Sequence, residues 1–161
     1  MKKLRAWFKS LIVLWAVVFW CVVLWPTEKE KVFKIAYIGK DKNGISQVFL
    51  INSDGTGKKI LTNTPFEKWN PSLSHDGKTV VFQVLMRDWD IYSIDVEGKN
   101  LKKLALSLAQ EVSPCFTPDD KKIIFISTQE GDIMKLFVMN RDGSNQKKLF
   151  DFIAATPSCS R

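Results

Sequence analysis

The 161-residue sequence holds one histidine and three cysteines, and no two cysteines stand in a C-x-x-C pair. That scarcity excludes the usual zinc constellations, which need several His and Cys ligands at short spacing. It also leaves His75 as the sole histidine base for a nucleophile. No G-x-S-x-G elbow accompanies it: neither Gly44-Ile45-Ser46-Gln47 nor Gly143-Ser144 has a second glycine in place. The sequence therefore assigns no catalytic, cofactor-binding or metal-binding residue, and no cofactor. Net charge is scarce too. Residues 1–26 hold Lys2, Lys3, Arg5 and Lys9 and no acid; setting those four aside leaves 20 basic against 17 acidic residues, a net +3. That is too little to argue for nucleic acid as a partner.

Long apolar runs are absent after Pro26, and before it there is one, Leu11 to Trp25. Its 15 residues are shorter than the ~20 of a membrane span, but counting from Leu4 with Lys9 reaching the interface gives 22. No small-residue A-x-A cleavage pattern follows in VVLWPTEKE, Trp20 and Trp25 suit an interfacial belt, and Cys21 follows Phe19 and Trp20 where a lipoprotein signal needs a small residue. The favoured expectation is a retained transmembrane or signal-anchor helix over 1–26, with a cleaved signal and a buried helix as alternatives. A linker spans 27–31, and the basic N-terminus stays in the cytoplasm. This places the rest of the chain on the periplasmic, extracytoplasmic side of the inner membrane. In that compartment Cys115 and Cys159 are the available disulfide partners. Their nearly equivalent places in successive repeats argue against the bond, since repeats should hold them beyond the ~7 Å Cα limit. Both are expected to be small buried residues.

What is present is repetition. NSDGTGKKIL (52–61), DVEGKNLKKL (95–104) and NRDGSNQKKL (140–149) are one turn written three times. Apolar segments IAYI (35–38), VVFQ (80–83) and IIFI (123–126) precede it, followed by QVFLIN (47–52), DIYSID (90–95) and KLFVMN (135–140). NPSLSHDGK (70–78), SPCFTPDDK (113–121) and TPSCSR (156–161) close each unit. Alternating β-branched and aromatic residues between Gly and Pro punctuation predict four short strands per unit and leave no room for a helix after Pro26. A period near 44 residues with four strands is the signature of a propeller blade. The expectation is an all-β fold, a partial β-propeller of three four-stranded repeats over 32–161 with units of about 32–78, 79–121 and 122–161, preceded by the N-terminal helix.

The repeat resembles the TolB-like, WD-related propeller family: Pro71, Ser72, Ser74, Asp76, Gly77 and Lys78 with Val80–Phe82, and Pro114, Thr117, Pro118, Asp119 and Lys121 with Ile123–Phe125, and Leu61-Thr62 fit its pattern. His75 stands where Pro is usual, Asp120 replaces the turn glycine, and the third copy stops at Arg161 before its Asp-Gly. The resemblance implies a protein-binding platform of the cell envelope. Related repeats also form propellers ahead of serine peptidase domains of the prolyl-oligopeptidase type, so a gating fragment of such a hydrolase is the rival reading, and a ligand-sensing propeller a third.

Several features have plain structural explanations. His75 reads as a turn residue, Asp41-Lys42-Asn43-Gly44 as a solvated turn rather than a calcium loop, and the Lys pairs 58–59, 102–103 and 147–148 as edge-blunting surface charge. Trp89-Asp90 opens a strand, where a WD dipeptide closes one. Trp69, Arg87 and Trp89 are expected in connections between strands and are the candidate partner-binding residues, with packing on a neighbouring blade as the alternative. The expected partners are another protein and, through the N-terminal helix, the membrane. Bare blade faces near Val32–Ile38 and Phe150–Ile153 also predict self-association and marginal stability, and TPSCSR suggests an interrupted array.

Overall fold

Alternating apolar side chains between glycine-marked turns give eleven β-strands and, among the described residues, no helix. A computed structural model describes residues 30–105, 107–150, 157 and 159. The segment expected to cross the membrane lies outside them. No helix among the described residues is long and apolar enough to cross a membrane. The strands are β1 (Lys34–Lys40), β2 (Ser46–Asn52), β3 (Lys59–Ile60), β4 (Glu67–Leu73), β5 (Thr79–Leu85), β6 (Trp89–Asp95), β7 (Lys102–Lys103), β8 (Glu111–Phe116), β9 (Lys122–Ser127), β10 (Lys135–Asn140) and β11 (Lys147–Lys148). They form three antiparallel sheets, ordered β1-β2-β3, β4-β5-β6-β7 and β8-β9-β10-β11. A repeat can be cut at any phase, and the sheets cut it at the proline segment: NPSL and SPCF lead the second and third sheets as β4 and β8.

Each sheet has two unlike faces. One carries an aromatic pair in the same place: Tyr37–Phe49, Phe82–Tyr92 and Phe125–Phe137, with centroids 5.4, 6.5 and 5.7 Å apart. The other carries aliphatic side chains, and it covers the aromatic face of the next sheet. Val48 and Leu50 of the first sheet thus pack with Val80, Phe82 and Ile94 of the second. Val81 and Ile91 of the second pack with Ile123, Phe125, Phe137 and Met139 of the third. Strand β5 is consequently buried on both sides, which is why VVFQV shows no polar alternation.

The recurring glycine turn is the second element of every inter-sheet contact. Gly98 and Gly143 both have positive φ (78° and 91°), as tight hairpins require. They also approach the previous sheet's outer strand so closely that a Cβ on Gly98 would lie 3.5 Å from the Leu61 carbonyl oxygen, and one on Gly143 2.6 Å from that of Leu104. The lysines of the motif span the same gap. Lys59 Nζ donates to the Val96 carbonyl and pairs with Glu97 at 3.3 Å, and Lys102 Nζ donates to the Asp142 carbonyl at 2.7 Å.

The two departures from the family pattern meet in space. Asp120, at φ 56° in the β8–β9 turn, accepts the backbone N–H of His75 (2.8 Å) and of Asp76 (2.7 Å) in the β4–β5 turn, and its Oδ1 lies 3.0 Å from His75 Nδ1. A proline at 75 would offer no N–H and a glycine at 120 no carboxylate. Burial pushes the Asp120 carboxyl up, but the His75 and Asp76 donors outweigh it and hold it below the ordinary range. Arg141 completes the latch, bonding Asp76 at 3.1 Å and Thr79 Oγ1 at 2.7 Å. The hydrogen bond from Ser74, then Arg141, lowers the Asp76 carboxyl to about 2 against the opposing effect of burial.

The expectation for the cysteines is overturned: Cys115 and Cys159 form a disulfide, with Cα atoms 6.0 Å apart. Repeat spacing keeps equivalent residues apart only on outer strands. The first strands of successive sheets converge, so that Asn70 Nδ2 and Ser113 Oγ, 43 residues apart in sequence, are 3.3 Å apart. The disulfide joins segments at this convergent edge.

Replacing Asp120 with glycine is expected to destabilise the protein by about 2–3 kcal/mol, despite relieving a positive φ, because charge-assisted hydrogen bonds are lost. In a denaturant-unfolding double-mutant cycle with His75→Pro, the double variant should lose clearly less than the sum of the singles; additivity would refute the latch. Cys159→Ser should lower stability by about 4 kcal/mol, the chain-entropy value for a loop of 44 residues, and the loss should vanish when wild type is compared under reduction.

Candidate functional site

Antiparallel order sends alternate connections to opposite ends of the sheets. One end, the turn end, carries the tight turns 53–58, 74–78, 96–101, 117–121 and 141–146, several closed by Asp, Ser or Thr side chains. The other, the loop end, carries 41–45, 61–66, 86–88, 104–110 and 128–134. Bulky apolar side chains stand exposed there: Leu85, Met86, Ile133 and above all Leu108, at 96%.

All three residues expected to bind a partner belong to the second sheet near this end. Trp69 lies on its edge strand β4, 49% exposed, opposite Gln83. Arg87 is exposed in the β5–β6 hairpin, and Trp89, partly buried, opens β6 opposite Leu85. The sheet brings them to one end but on different strands. Their contact with a partner is untouched by the fold itself.

Next to Trp69 is a feature that sequence reading missed. Counting back from Pro71 and Pro114, Lys68 and Glu111 occupy the same repeat position, at the loop-end root of β4 and β8. Both are fully buried, at 1% and 0% exposure, with opposite charge. Lys68 Nζ donates to the carbonyls of Thr64, at 2.7 Å, and Phe66. Burial pushes its ammonium down to about 8, against the opposing pull of Asp41 and Glu67. Glu111 is hydrogen-bonded by Ser107, the equivalent of Thr64, while its Oε2 has no hydrogen-bond partner among the described residues. Burial pushes its carboxyl up to about 7; Ser107 and Lys103 oppose this, while Asp90 and Asp88 add to it. Lys103 is itself paired with Asp90 at 2.7 Å. The signal was present in the sequence as two charged residues three positions before a strand proline, but nothing there distinguished a buried root from a solvated strand end.

Just beyond these roots, both strands bulge. Asn70 and Ser113 adopt φ of 48° and 54° before their prolines, and the ladder shifts register at each. Gln83 Oε1 accepts the Ser113 backbone N–H (2.9 Å) and Asn70 Nδ2 (3.0 Å), fixing the two bulges to each other. Above the aromatic face of the second sheet lies a cavity of about 190 Å³, with Phe66, Phe82, Val84 and Tyr92 among its lining and Lys68 at its margin. His75 is in the turn-end latch, far along β4 from these groups. Among the described residues no cluster of His, Cys, Asp or Glu is suited to a metal.

Glu111 gives this end a pH signature. Its folded-state pKa is above the unfolded value, so its contribution to stability is full below about pH 4.5 and is lost as pH rises to about 7, on the order of 3 kcal/mol. Glu111→Gln should flatten the stability profile between pH 5 and 7.5 and be the more stable protein at pH 8. An unchanged profile in that variant would remove Glu111 as its source.

The sequence matches the TolB beta propeller domain family over residues 21–160. It is 26% identical over 126 residues to the Tol-Pal system protein TolB of Nitratidesulfovibrio vulgaris, covering 76% of this chain and 28% of that protein. A solved TolB-type structure from Agrobacterium tumefaciens is similar at TM-score 0.65 and 26% identity, over 74% of this chain and 43% of that one. Dipeptidyl peptidase 4 of Porphyromonas gingivalis, at TM-score 0.58 and 19% identity over 73% of this chain and 17% of that one, shares the fold alone. The chain thus spans less than half the length of these relatives. Three sheets stacked aromatic face to aliphatic face, the recurring Gly turn and this family match make the chain a member of the TolB beta propeller domain family.

Proposed function

We propose that the chain is a non-catalytic protein-binding module of the cell envelope, held to the inner membrane by residues 1–26 with its sheets on the periplasmic side. The observation that carries the binding surface is the inequality of the two ends. At the turn end Lys59, Lys102, His75, Asp120 and Arg141 are committed to holding sheets together. The loop end displays Trp69, Arg87, Leu108 and Met86 without a structural duty of that kind, as an interface anchor must. The Cys115–Cys159 disulfide supports an oxidising compartment, and TolB-type relatives support an envelope role. The rival, a propeller accompanying a serine peptidase, draws on the dipeptidyl peptidase likeness, and a small-ligand sensor draws on the cavity beside Tyr92.

A photo-crosslinking residue placed at Trp69 or Leu108 in cells should yield a discrete adduct with one envelope protein, and the same residue at Ser144 on the turn end should not. Trp69→Ala with Arg87→Ala should reduce that adduct at least ten-fold, as loss of interface anchors does. Equal labelling at both ends would refute the assignment of the surface. The purified protein should turn over no peptide, ester or glycoside, and protease added outside the inner membrane should digest beyond residue 27.

A further inference from the structure

The gap between the first two sheets contains a cavity whose lining the gap between the second and third does not repeat. One wall is the β3–β4 connection, through Thr62, Thr64 and Phe66, and the other is the aromatic face of the second sheet, through Phe82, Val84 and Tyr92. Met86 and Leu101, each 47% exposed, mark its opening. The lining is almost wholly apolar, and at about 190 Å³ the cavity exceeds the ~150 Å³ that accommodates a benzene ring. One repeat on, Phe66, Val84, Met86 and Leu101 correspond to Ala109, Ser127, Gln129 and Gln146. There the Gln146 Nε2 donates to the Leu104 and Gly143 carbonyls. Both gaps cover the same kind of aromatic pair, so sheet stacking alone does not call for the apolar set.

The same cavity meets an ammonium that no counter-ion touches among the described residues. Lys68 is 1% exposed, and its Nζ donates to the carbonyls of Thr64 (2.7 Å) and Phe66, both of which line the cavity. An ammonium has three donors, and those two carbonyls take two of them. Carboxylates lie nearby but are engaged elsewhere. Asp41 accepts Gln47 Nε2 at 3.0 Å and the backbone N–H groups of Asn43 and Ile45, while Glu67 pairs with Lys40 at 3.2 Å. The hydrogen bond from Gln47 holds the Asp41 carboxyl below its ordinary value and that from Ser46 does so for Glu67, so both remain ionised while Lys68 titrates. A buried cation compensated only by neutral dipoles is incompletely satisfied, and an anion reaching it through the cavity completes it.

We propose that this cavity binds a small carboxylate with a compact apolar body, the carboxylate accepting the third donor of Lys68 and the body lying against Phe82, Val84 and Tyr92. Volume sets the class: one aromatic ring or a short branched chain fits, whereas a drug-sized ligand takes ~300 Å³ or more. Lys68 sets the charge, and the equivalent position one repeat on holds Glu111, which has no cation to offer the same ligand. Carboxylate binding here requires no protein partner, and a partner at Trp69 requires no carboxylate.

The test titrates the full chain in lipid nanodiscs with phenylacetate, phenylacetamide and acetate by calorimetry. Phenylacetate should bind with a Kd of about 1 mM or tighter, at least ten-fold tighter than the amide, which keeps the ring, or acetate, which keeps the charge. Its affinity should fall about ten-fold from pH 7 to pH 9, as the Lys68 ammonium, lowered by burial to about 8, loses its proton. Val84→Phe fills the cavity and should abolish binding with an unchanged circular dichroism spectrum, and Lys68→Met should bind acid and amide equally. If either variant fails to fold, the three ligands compared on the wild type still decide the matter. Three results would overturn the proposal: phenylacetate binding weaker than about 1 mM, an amide that binds as tightly as the acid, or wild-type affinity in a folded Val84→Phe variant.

Discussion

Everything in this fold depends on one sheet covering the aromatic face of the next. A four-stranded antiparallel sheet with both faces apolar has no stability of its own in water, since neither face is dry until a neighbour arrives. The chain meets that requirement by repeating a single asymmetric contact. Phe82 and Phe125 are each at 0% exposure because the preceding sheet's aliphatic face lies over them. Turn and lysine geometry serve the same end. Gly98 and Gly143 bring the hairpin down onto Leu61 and Leu104, sealing the outer margin of the interface where water would enter. The turn is conserved between repeats within this one chain because two constraints act on it together, a positive φ and a backbone approach with no space for Cβ.

Much of the fold was legible in the sequence for that reason. Periodicity in VVFQV and IIFIS, the Asp-Gly and Glu-Gly turns and the 43- and 45-residue spacings are direct imprints of strand and sheet contacts. The lysine pairs were read as solvated charge, and Lys59 and Lys102 instead bridge sheets; the difference lies in a partner 38 or 40 residues away that no local pattern marks. The Cys115–Cys159 disulfide is hidden in the sequence for a geometric reason. Translating a repeat spacing into distance holds for outer strands, but the first strands of successive sheets converge, and there one period corresponds to a few ångströms.

His75 and Asp120 show how departures from a pattern carry information when taken together. Each alone looks like a blemish: a missing turn proline, and a non-glycine residue at positive φ. Placed in adjacent turns, they form a donor and an acceptor that the family residues lack, so the backbone cost at Asp120 is offset by three contacts across the gap between sheets. The sequence distance of 45 residues hid the pairing, although it equals one repeat and so placed the two residues in adjacent blades.

The candidate site was legible only in part, and the reason is the same asymmetry that locates it. Turn-end residues are constrained by contacts that recur, so they repeat and can be read. Loop-end residues differ between repeats: Trp69 corresponds to Val112 and Lys68 to Glu111, and the Lys40–Glu67 pair that joins the first two sheets there has no counterpart between the second and third among the ion pairs of the described residues. A lysine and a glutamate both fully buried at one repeat position cannot both be products of packing alone, because packing favours neither charge. Each has its own local solution, backbone carbonyls for Lys68 and a serine hydroxyl for Glu111, whose Oε2 has no hydrogen-bond partner among the described residues. Variation of that kind, concentrated at one end of an otherwise repetitive fold, has no counterpart in the turns that hold the sheets together, because there each side chain answers to a partner one repeat away.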